Sequence, residues 1–367
     1  MRIGIMLRHF DQHEGGVKVY TREIVRALIE QNRQHEILLL FRNPARLGTY
    51  KNLDGVREVL LEGGSIPYWD QIKVPRAVRK YGVDVLFNPK YSIPLRADCK
   101  TAWVCHGMDW YAMPQGSPFK DRLSHRFLVP RYVAKANAIV AVSDITREHL
   151  RKYLNAPPER IHTIYSGLSD VFRARVPAQR LEELRRRFSL PPRFLMYCGA
   201  VYPPKNFTRL IQAYAKVGPR QGVPLVIVGG GNRYLSEHEL DEPKRQHIAD
   251  WVRWPGWVAN GDLPAIYQLS EGLLLPSLYE SVGMPVMEAM ACGCPVLTAD
   301  RFGTKEIAGD AAILVNPESV DAIAAGIDQL LNDRERRSAI VAAGLERSRR
   351  FTWGQSAREL LQVLENL

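Results

Sequence analysis

The sequence is poor in cysteine and has no long apolar run. Its five cysteines, Cys99, Cys105, Cys198, Cys292 and Cys294, are odd in number and irregularly spaced, which argues against a disulfide framework. Cys292-Gly293-Cys294 has no second Cys or His pair at finger-like spacing, so structural zinc is not expected. The thiols read as small buried residues in a reduced compartment. No stretch approaches the ~18 apolar residues of a membrane span. The opening MRIGIMLRHF meets charge too soon for a secretory signal and lacks a small-residue cleavage site. These absences lead to the expectation of a cytoplasmic protein, with peripheral membrane contact left open. Low-complexity tracts and short repeats are also missing. No strand is followed by the G-x-G-x-x-G dinucleotide fingerprint, which disfavours a nicotinamide-dependent oxidoreductase.

What is present is globular: 367 residues, 46% hydrophobic and 24% charged. Single cores stop growing at roughly 250–300 residues, so two domains are expected. Fifty Lys+Arg against 39 Asp+Glu give a net charge of +11. That balance favours polyanionic partners: nucleic acid, anionic lipid or phosphate-bearing small molecules.

Short apolar runs typical of buried parallel strands occur at Ile3–Leu7, Glu36–Phe41, Asp84–Phe87, Thr101–Cys105 and Ala138–Val142. Helix-like stretches lie between them, the first over Val17–Ile29, with Val17, Tyr20, Ile24, Val25 and Leu28 at helical spacing. The pattern lapses near Ser166–Pro177 and restarts with runs at Phe194–Cys198, Leu225–Val228, Gly272–Leu275, Pro295–Thr298 and Ala312–Val315. The fold class expected is α/β, two Rossmann-like domains with parallel sheets. Their boundaries fall at 1–170 and 171–350, and a final helix covers 351–367. Ligands of such sheets bind at the carboxyl ends of strands, at the switch point of strand order. Two facing units would therefore frame a cleft with strand-end loops: Gly15-Gly16, His106, Ser143, Gly199–Lys205, Gly229–Gly231 and Ser277–Pro285.

One segment carries most of the functional signal. LLLPSLYESVGMPVMEAMACGCPV, from Leu273, reads as a buried strand, a loop with Glu280 and Gly283, and a helix opened by Pro285. A helix N-terminus with free backbone N–H groups is an anion site. Glu280 is placed before it and Glu288 about one turn in, which suits a phosphate-linked sugar with hydroxyls at either end.

This segment resembles the E-x7-E signature of family 4 glycosyltransferases, which have the GT-B architecture. The resemblance extends over nearly the whole chain and is most specific from Gly199 to Pro295. It particularly resembles bacterial mannosyltransferases of polysaccharide or glycan biosynthesis. It implies that the first domain serves the acceptor and the second the nucleotide sugar, with the last helix, opened by Phe351-Thr352-Trp353, returning to the first domain. It implies that Glu280 hydrogen-bonds the donor sugar, that Ser281, Val282, Gly283 and Met284 offer backbone groups to sugar and phosphates, and that Glu288 holds the ribose hydroxyls. In FLMYCGAVYPPKNF, Lys205 matches the family cation that neutralises the leaving diphosphate without a metal. Pro204 stands where many relatives carry Arg, so a second cation is not accounted for. The resemblance also places His106 near the donor sugar, Gly15 and Gly16 near donor phosphate and acceptor, and Val258 of WPGWV beside the nucleotide base. Gly199, Gly230 and Ser143, at strand ends, complete the expected donor contacts, and Asp109 is a weaker candidate after His106.

The activity implied is retaining transfer of a hexose, GDP-mannose being the first choice of donor, to a glycan, lipid-linked or other hydroxyl acceptor. Alternatives on the same scaffold are a sugar-nucleotide epimerase or hydrolase, or a non-catalytic sugar-nucleotide sensor. The residues 119–135 interleave Phe119, Leu123, Phe127 and Tyr132 with Lys120, Arg122, Arg126, Arg131 and Lys135. That mixture reads as an amphipathic segment and as a candidate contact with anionic lipid.

Overall fold

In a computed structural model the chain is described over residues 1–11, 15–51, 53–90, 92–114, 119–229 and 237–367. It divides into two units: unit 1 is Met1–Gly167 with Thr352–Leu367, and unit 2 is Leu168–Phe351.

Unit 1 is built on strands β1 (Arg2–Met6), β2 (Glu36–Phe41), β3 (Val56–Leu60), β4 (Val85–Asn88), β5 (Lys100–Cys105), β6 (Ala138–Ala141) and β7 (Ile161–Thr163). All pairings are parallel, in the order β3-β2-β1-β4-β5-β6-β7. The central runs are buried on both faces, Ile37–Phe41 and Ala102–Cys105 among them, because helices cover both sides of a parallel sheet. The helices used below are α1 (Gly16–Gln31), α2 (Val74–Tyr81), α3 (Phe119–Lys135) and α4 (Asp144–Leu154). α1 turns Tyr20, Thr21, Ile24, Val25, Ala27 and Leu28 inward, the helical spacing seen in the sequence. Strand order reverses between β1 and β4, where Ile3 pairs with Val85.

Unit 2 contains β8 (Leu195–Gly199), β9 (Leu225–Gly229), β10 (Val252–Gly256), β11 (Gly272–Leu275), β12 (Val296–Ala299) and β13 (Ile313–Val315). They are again parallel, in the order β10-β9-β8-β11-β12-β13. The helices used below are α5 (Ala178–Arg187), α6 (Phe207–Val217), α7 (Leu263–Leu269), α8 (Met284–Ala291), α9 (Phe302–Ala308), α10 (Val320–Asn332) and α11 (Arg334–Ser348). The reversal here lies between β8 and β11, joined at Leu195–Gly272 and Met196–Leu273. The loops that follow these two strands hold Lys205 and Glu280.

The last helix, α12 (Trp353–Glu365), belongs to unit 1 and packs along α1. Thr352 caps it through the Gln355 N–H. Ser356 Oγ donates to the Tyr165 carbonyl at 2.7 Å, and His35 Nε2 lies 2.7 Å from Glu365 Oε1. Gly167 makes room for the helix start: a Cβ there would lie 2.2 Å from Trp353 N.

Candidate active site

The switch point of unit 2 is organised by a proline-rich turn. Pro203–Lys205 forms one 3-10 turn, and Asn206 then adopts a left-handed conformation (φ 60°) that starts α6. Asn206 Nδ2 donates to the carbonyls of Pro276 (2.9 Å) and Pro317 (2.6 Å). The Pro204 carbonyl accepts from the N–H groups of Leu278 (2.8 Å) and Tyr279 (3.2 Å). The position that lacks the family's usual Arg is thus a backbone staple between the β8 and β11 loops.

The staple brings Lys205 to Glu280, and the two form a largely buried ion pair. Ser277 Oγ donates to the same Glu280 oxygen at 3.2 Å. Burial pulls the Lys205 ammonium down, but the Glu280 carboxylate and the Tyr202 and Cys198 groups outweigh it and hold Lys205 above its ordinary value. Each partner removes the unpaired-charge penalty of the other. Glu280 thus balances the Lys205 charge at the start of α6.

Beyond Glu280 the chain makes a tight arch into α8. Gly283 has φ 86°, a region that favours glycine. The Gly303 N–H, in the first turn of α9, donates to the Glu280 carbonyl at 2.9 Å. A Cβ on Gly303 would stand 2.3 Å from the Ser281 carbonyl group, so only glycine permits this contact. The arch leaves the N–H groups of Ser281, Val282, Gly283 and Met284 without an acceptor among the described residues. Adjacent free N–H groups before a helix form a concave anion site.

Glu288 is the fifth residue of α8, about one turn in, as expected. It therefore does not act as a partner of the helix dipole, whose effect fades within the first turn. It is half-buried, and its Oε2 accepts from Tyr267 Oη on α7 at 2.8 Å. Burial pushes its pKa up to about 7, with the Tyr267 hydrogen bond and Lys205 pulling the other way. Gly199 ends β8 with φ 136°, and Gly229 lies beside it in register. Val258 is a core side chain, so only its backbone is free for a base; Trp257 beside it is 67% exposed. Gly230 lies outside the described residues.

In unit 1 the expected residues gather less tightly. His106 follows β5; its Nε2 lies 2.6 Å from the Pro89 carbonyl, and Tyr20 packs edge-on against its ring at 4.7 Å. Burial, together with nearby Lys90, holds its pKa down to about 4, the Pro89 hydrogen bond opposing. His106 is therefore neutral near pH 7, with Nε2 as the N–H donor. Ser143 is buried and caps α4, accepting from the Thr146 N–H at 3.2 Å; its hydroxyl is engaged within its own unit. Gly15 and Gly16 are exposed, and a Cβ on either would meet nothing within 4 Å. Nothing among the described residues requires glycine there. Asp109 opens a short helical turn, Asp109–Ala112.

Sequence reasoning missed Asn206, Tyr267 and Gly303, and also a charged cluster at the β1/β4 switch point. There Arg8 Nε lies 2.9 Å from Asp70 Oδ1, and Ser92 Oγ bridges the two side chains at 3.0 Å from each. Asp70 and Arg8 are 62 positions apart in the chain (70 − 8), so no local pattern announces the pair.

Two family models match the chain: the one described as Glycosyltransferase Family 4 covers residues 14–170, and that described as Glycosyl transferases group 1 covers 182–347. O-antigen chain mannosyltransferase B of Escherichia coli is 30% identical over 302 residues, 79% of this chain and 76% of that one. The chain belongs to glycosyltransferase family 4. A second relative of this glycosyltransferase is the GDP-mannose-dependent alpha-(1-6)-phosphatidylinositol monomannoside mannosyltransferase of Mycobacterium tuberculosis, 25% identical over 99% of this chain and 98% of that one. Among solved structures, Anabaena Alr3699/HepE in complex with UDP-glucose superimposes with a TM-score of 0.79 at 18% identity, covering 100% of both chains. The family 4 enzyme thus has the GT-B fold, with the Lys205–Glu280 pair at the switch point of its second unit.

Proposed function

We propose that this glycosyltransferase moves a hexosyl group, with retention of configuration, from a nucleoside-diphosphate sugar to a hydroxyl of a glycan or lipid-linked acceptor. GDP-mannose is the donor favoured, on the names of the mannosyltransferase relatives. The observation that carries the reading is the arch at 280–284: a buried Lys–Glu pair beside four free N–H groups at a helix N-terminus. In this reading the donor diphosphate takes the N–H groups and draws Lys205 from Glu280. Glu280, released, accepts hydroxyls of the sugar. Charge developing on the leaving diphosphate then meets preorganised donors, which is electrostatic catalysis. Lys205 and the arch do this without a metal ion, and the second cation expected near Pro204 is not needed if four N–H groups share the charge. Neutral His106, with its Nε2–H given to the Pro89 carbonyl, offers Nδ1 as a hydrogen-bond acceptor or its ring as an apolar wall rather than a cation.

Peripheral membrane contact through α3 is part of the proposal. Leu123, Phe127 and Leu128 are exposed there beside exposed Arg126 and Arg131, and no described helix is long and apolar enough to cross a membrane.

The test is transfer from radiolabelled GDP-mannose and UDP-glucose to membrane-extracted acceptors, with and without EDTA, and NMR of the product's anomeric centre. Acceptor-dependent product with the donor's configuration, insensitive to EDTA, is expected. Unchanged transfer by Glu280→Gln, or donor breakdown indifferent to acceptor, would overturn it. Co-sedimentation with vesicles containing anionic lipid, lost on Phe127→Ser/Arg126→Ser, checks the α3 contact.

A further inference from the structure

Three aromatic rings of unit 1 are linked through Tyr20. Trp353 opens α12, Tyr20 lies on α1, and His106 follows β5. Tyr20 meets the Trp353 ring edge-to-face, with centroids 5.3 Å apart and planes at 74°. It meets the His106 ring in the same manner, at 4.7 Å and 86°. Tyr20 and Trp353 are buried, and His106 is half-buried. Among the described residues neither Tyr20 Oη nor Trp353 Nε1 has a hydrogen-bond partner. An unpaired buried hydroxyl costs stability, so Tyr20 acts on its neighbours through its ring alone. Trp353 is in turn fixed where the chain leaves and re-enters unit 1, at Gly167 and Thr352. A Cβ on Gly167 would lie 2.6 Å from Trp353 Cγ, Thr352 caps α12, and Ser356 is tied to the Tyr165 carbonyl. His106, by contrast, is held at one atom. Its Nε2 lies 2.6 Å from the Pro89 carbonyl, which only accepts, so Nε2 carries the hydrogen and Nδ1 is the acceptor left over. One hydrogen bond does not fix an imidazole, whose terminal torsion is broad.

We propose that Tyr20 is a positioning residue for His106 and that Trp353 acts on His106 through it, so that the start of the last helix sets the direction in which Nδ1 is presented. This deepens the reading of His106 as a group beside the transferred sugar, and rests on it. The Tyr20 ring closes off the rotation that the Pro89 hydrogen bond leaves open. Close-packed rings have little free volume to absorb a shift. A displacement of Trp353 at the chain crossings therefore reaches Tyr20, and from Tyr20 it reaches His106. Neither Tyr20 nor Trp353 is exposed enough to touch a ligand, so their effect on transfer runs through His106 alone.

The test is a double-mutant cycle in the full chain, with whichever of GDP-mannose and UDP-glucose the wild type uses. His106→Ala should itself be slow. Tyr20→Leu, which keeps an apolar side chain but no ring, should lower kcat about 10–100-fold and change donor KM less than about threefold, the signature of a misplaced group rather than a lost contact. Trp353→Leu should act in the same direction, more weakly. In the His106→Ala background neither should lower kcat further, because the group they act through is gone. Tyr20→Phe keeps the ring and removes an unpaired hydroxyl, so kcat should stay at the wild-type level and the thermal midpoint should rise. Imidazole NMR should show the His106 Nε2–H signal retained in Tyr20→Phe and lost or displaced in Tyr20→Leu. Should Tyr20→Leu not fold, Trp353→Leu decides by the same cycle. If either Leu variant lowers kcat by the same factor with and without His106, or lowers the thermal midpoint while kcat stays intact, these rings are packing only and the inference fails. If His106→Ala transfers sugar as well as the wild type, the reading of His106 fails and takes this inference with it.

Discussion

Lys205 and Glu280 are the pair on which stability and chemistry meet. Both are nearly buried, and truncating one leaves the other unpaired. Lys205→Met is expected to cost ~3–5 kcal/mol in urea unfolding, with the Lys205→Met/Glu280→Gln double variant recovering part of it. In transfer assays either single change should lower kcat about 10²–10³-fold, the scale for loss of one preorganised charge-stabilising group. At the same scale, titration separates histidines from Glu288. His106 and His149 are both depressed to about 4 by burial. Stability from keeping them neutral is present above the unfolded value of about 6.5 and is lost as pH falls from there toward 4. Glu288 runs the other way: raised to about 7, it binds a proton in the folded chain that the unfolded chain has released. Its stabilising effect is present below about 4.3 and lost as pH rises toward 7. Between pH 5 and 6.5 the two slopes oppose each other. Glu288→Gln should therefore give a thermal midpoint that rises more steeply with pH in that window. An unchanged slope would falsify this assignment.

At the scale of elements, two devices hold the arch. Gly303 lets α9 touch the Ser281 backbone, where a Cβ would come within 2.3 Å. Asn206 satisfies the carbonyls of Pro276 and Pro317. Gly303→Ala should force the arch and α9 apart, raising donor KM at least tenfold with far-UV circular dichroism unchanged. Asn206→Ala strands two buried acceptors, so a loss of about 2–6 kcal/mol is expected, at about 1–3 each. The elements themselves were unevenly legible. The central strands were found within a residue or two because burial on both faces leaves an uninterrupted apolar run. β3, β7 and β10 were not. All three are edge strands, and β3 carries Arg57 and Glu58 while β10 carries Arg253 and exposed Trp254. An edge has one neighbour, tolerates polar side chains, and so loses the pattern. WPGWV, met in the sequence as a segment framing the nucleotide base, proves to be partly that edge strand.

At the scale of the molecule, unit 1 is made of two chain segments, and unit 2 lies between them in sequence. Truncation after Arg350 removes Trp353, Leu360, Leu361 and Leu364, all buried against unit 1. It should destabilise unit 1 while unit 2 still binds donor, which calorimetry would show as one transition lowered and another still raised by GDP-mannose. The sequence by itself determined the alternation of apolar runs and helical stretches, hence two parallel-sheet units, and the loop-helix segment with Glu280 and Glu288, because these are local periodicities and local termini. Only the tertiary structure decided that Lys205 pairs with Glu280 across 75 residues, that Tyr267 holds Glu288, and that Pro204 ties the two loops. The physical reason is strand order. Setting β11 beside β8 is a non-local choice made by packing the whole sheet, and no spacing within the sequence encodes it.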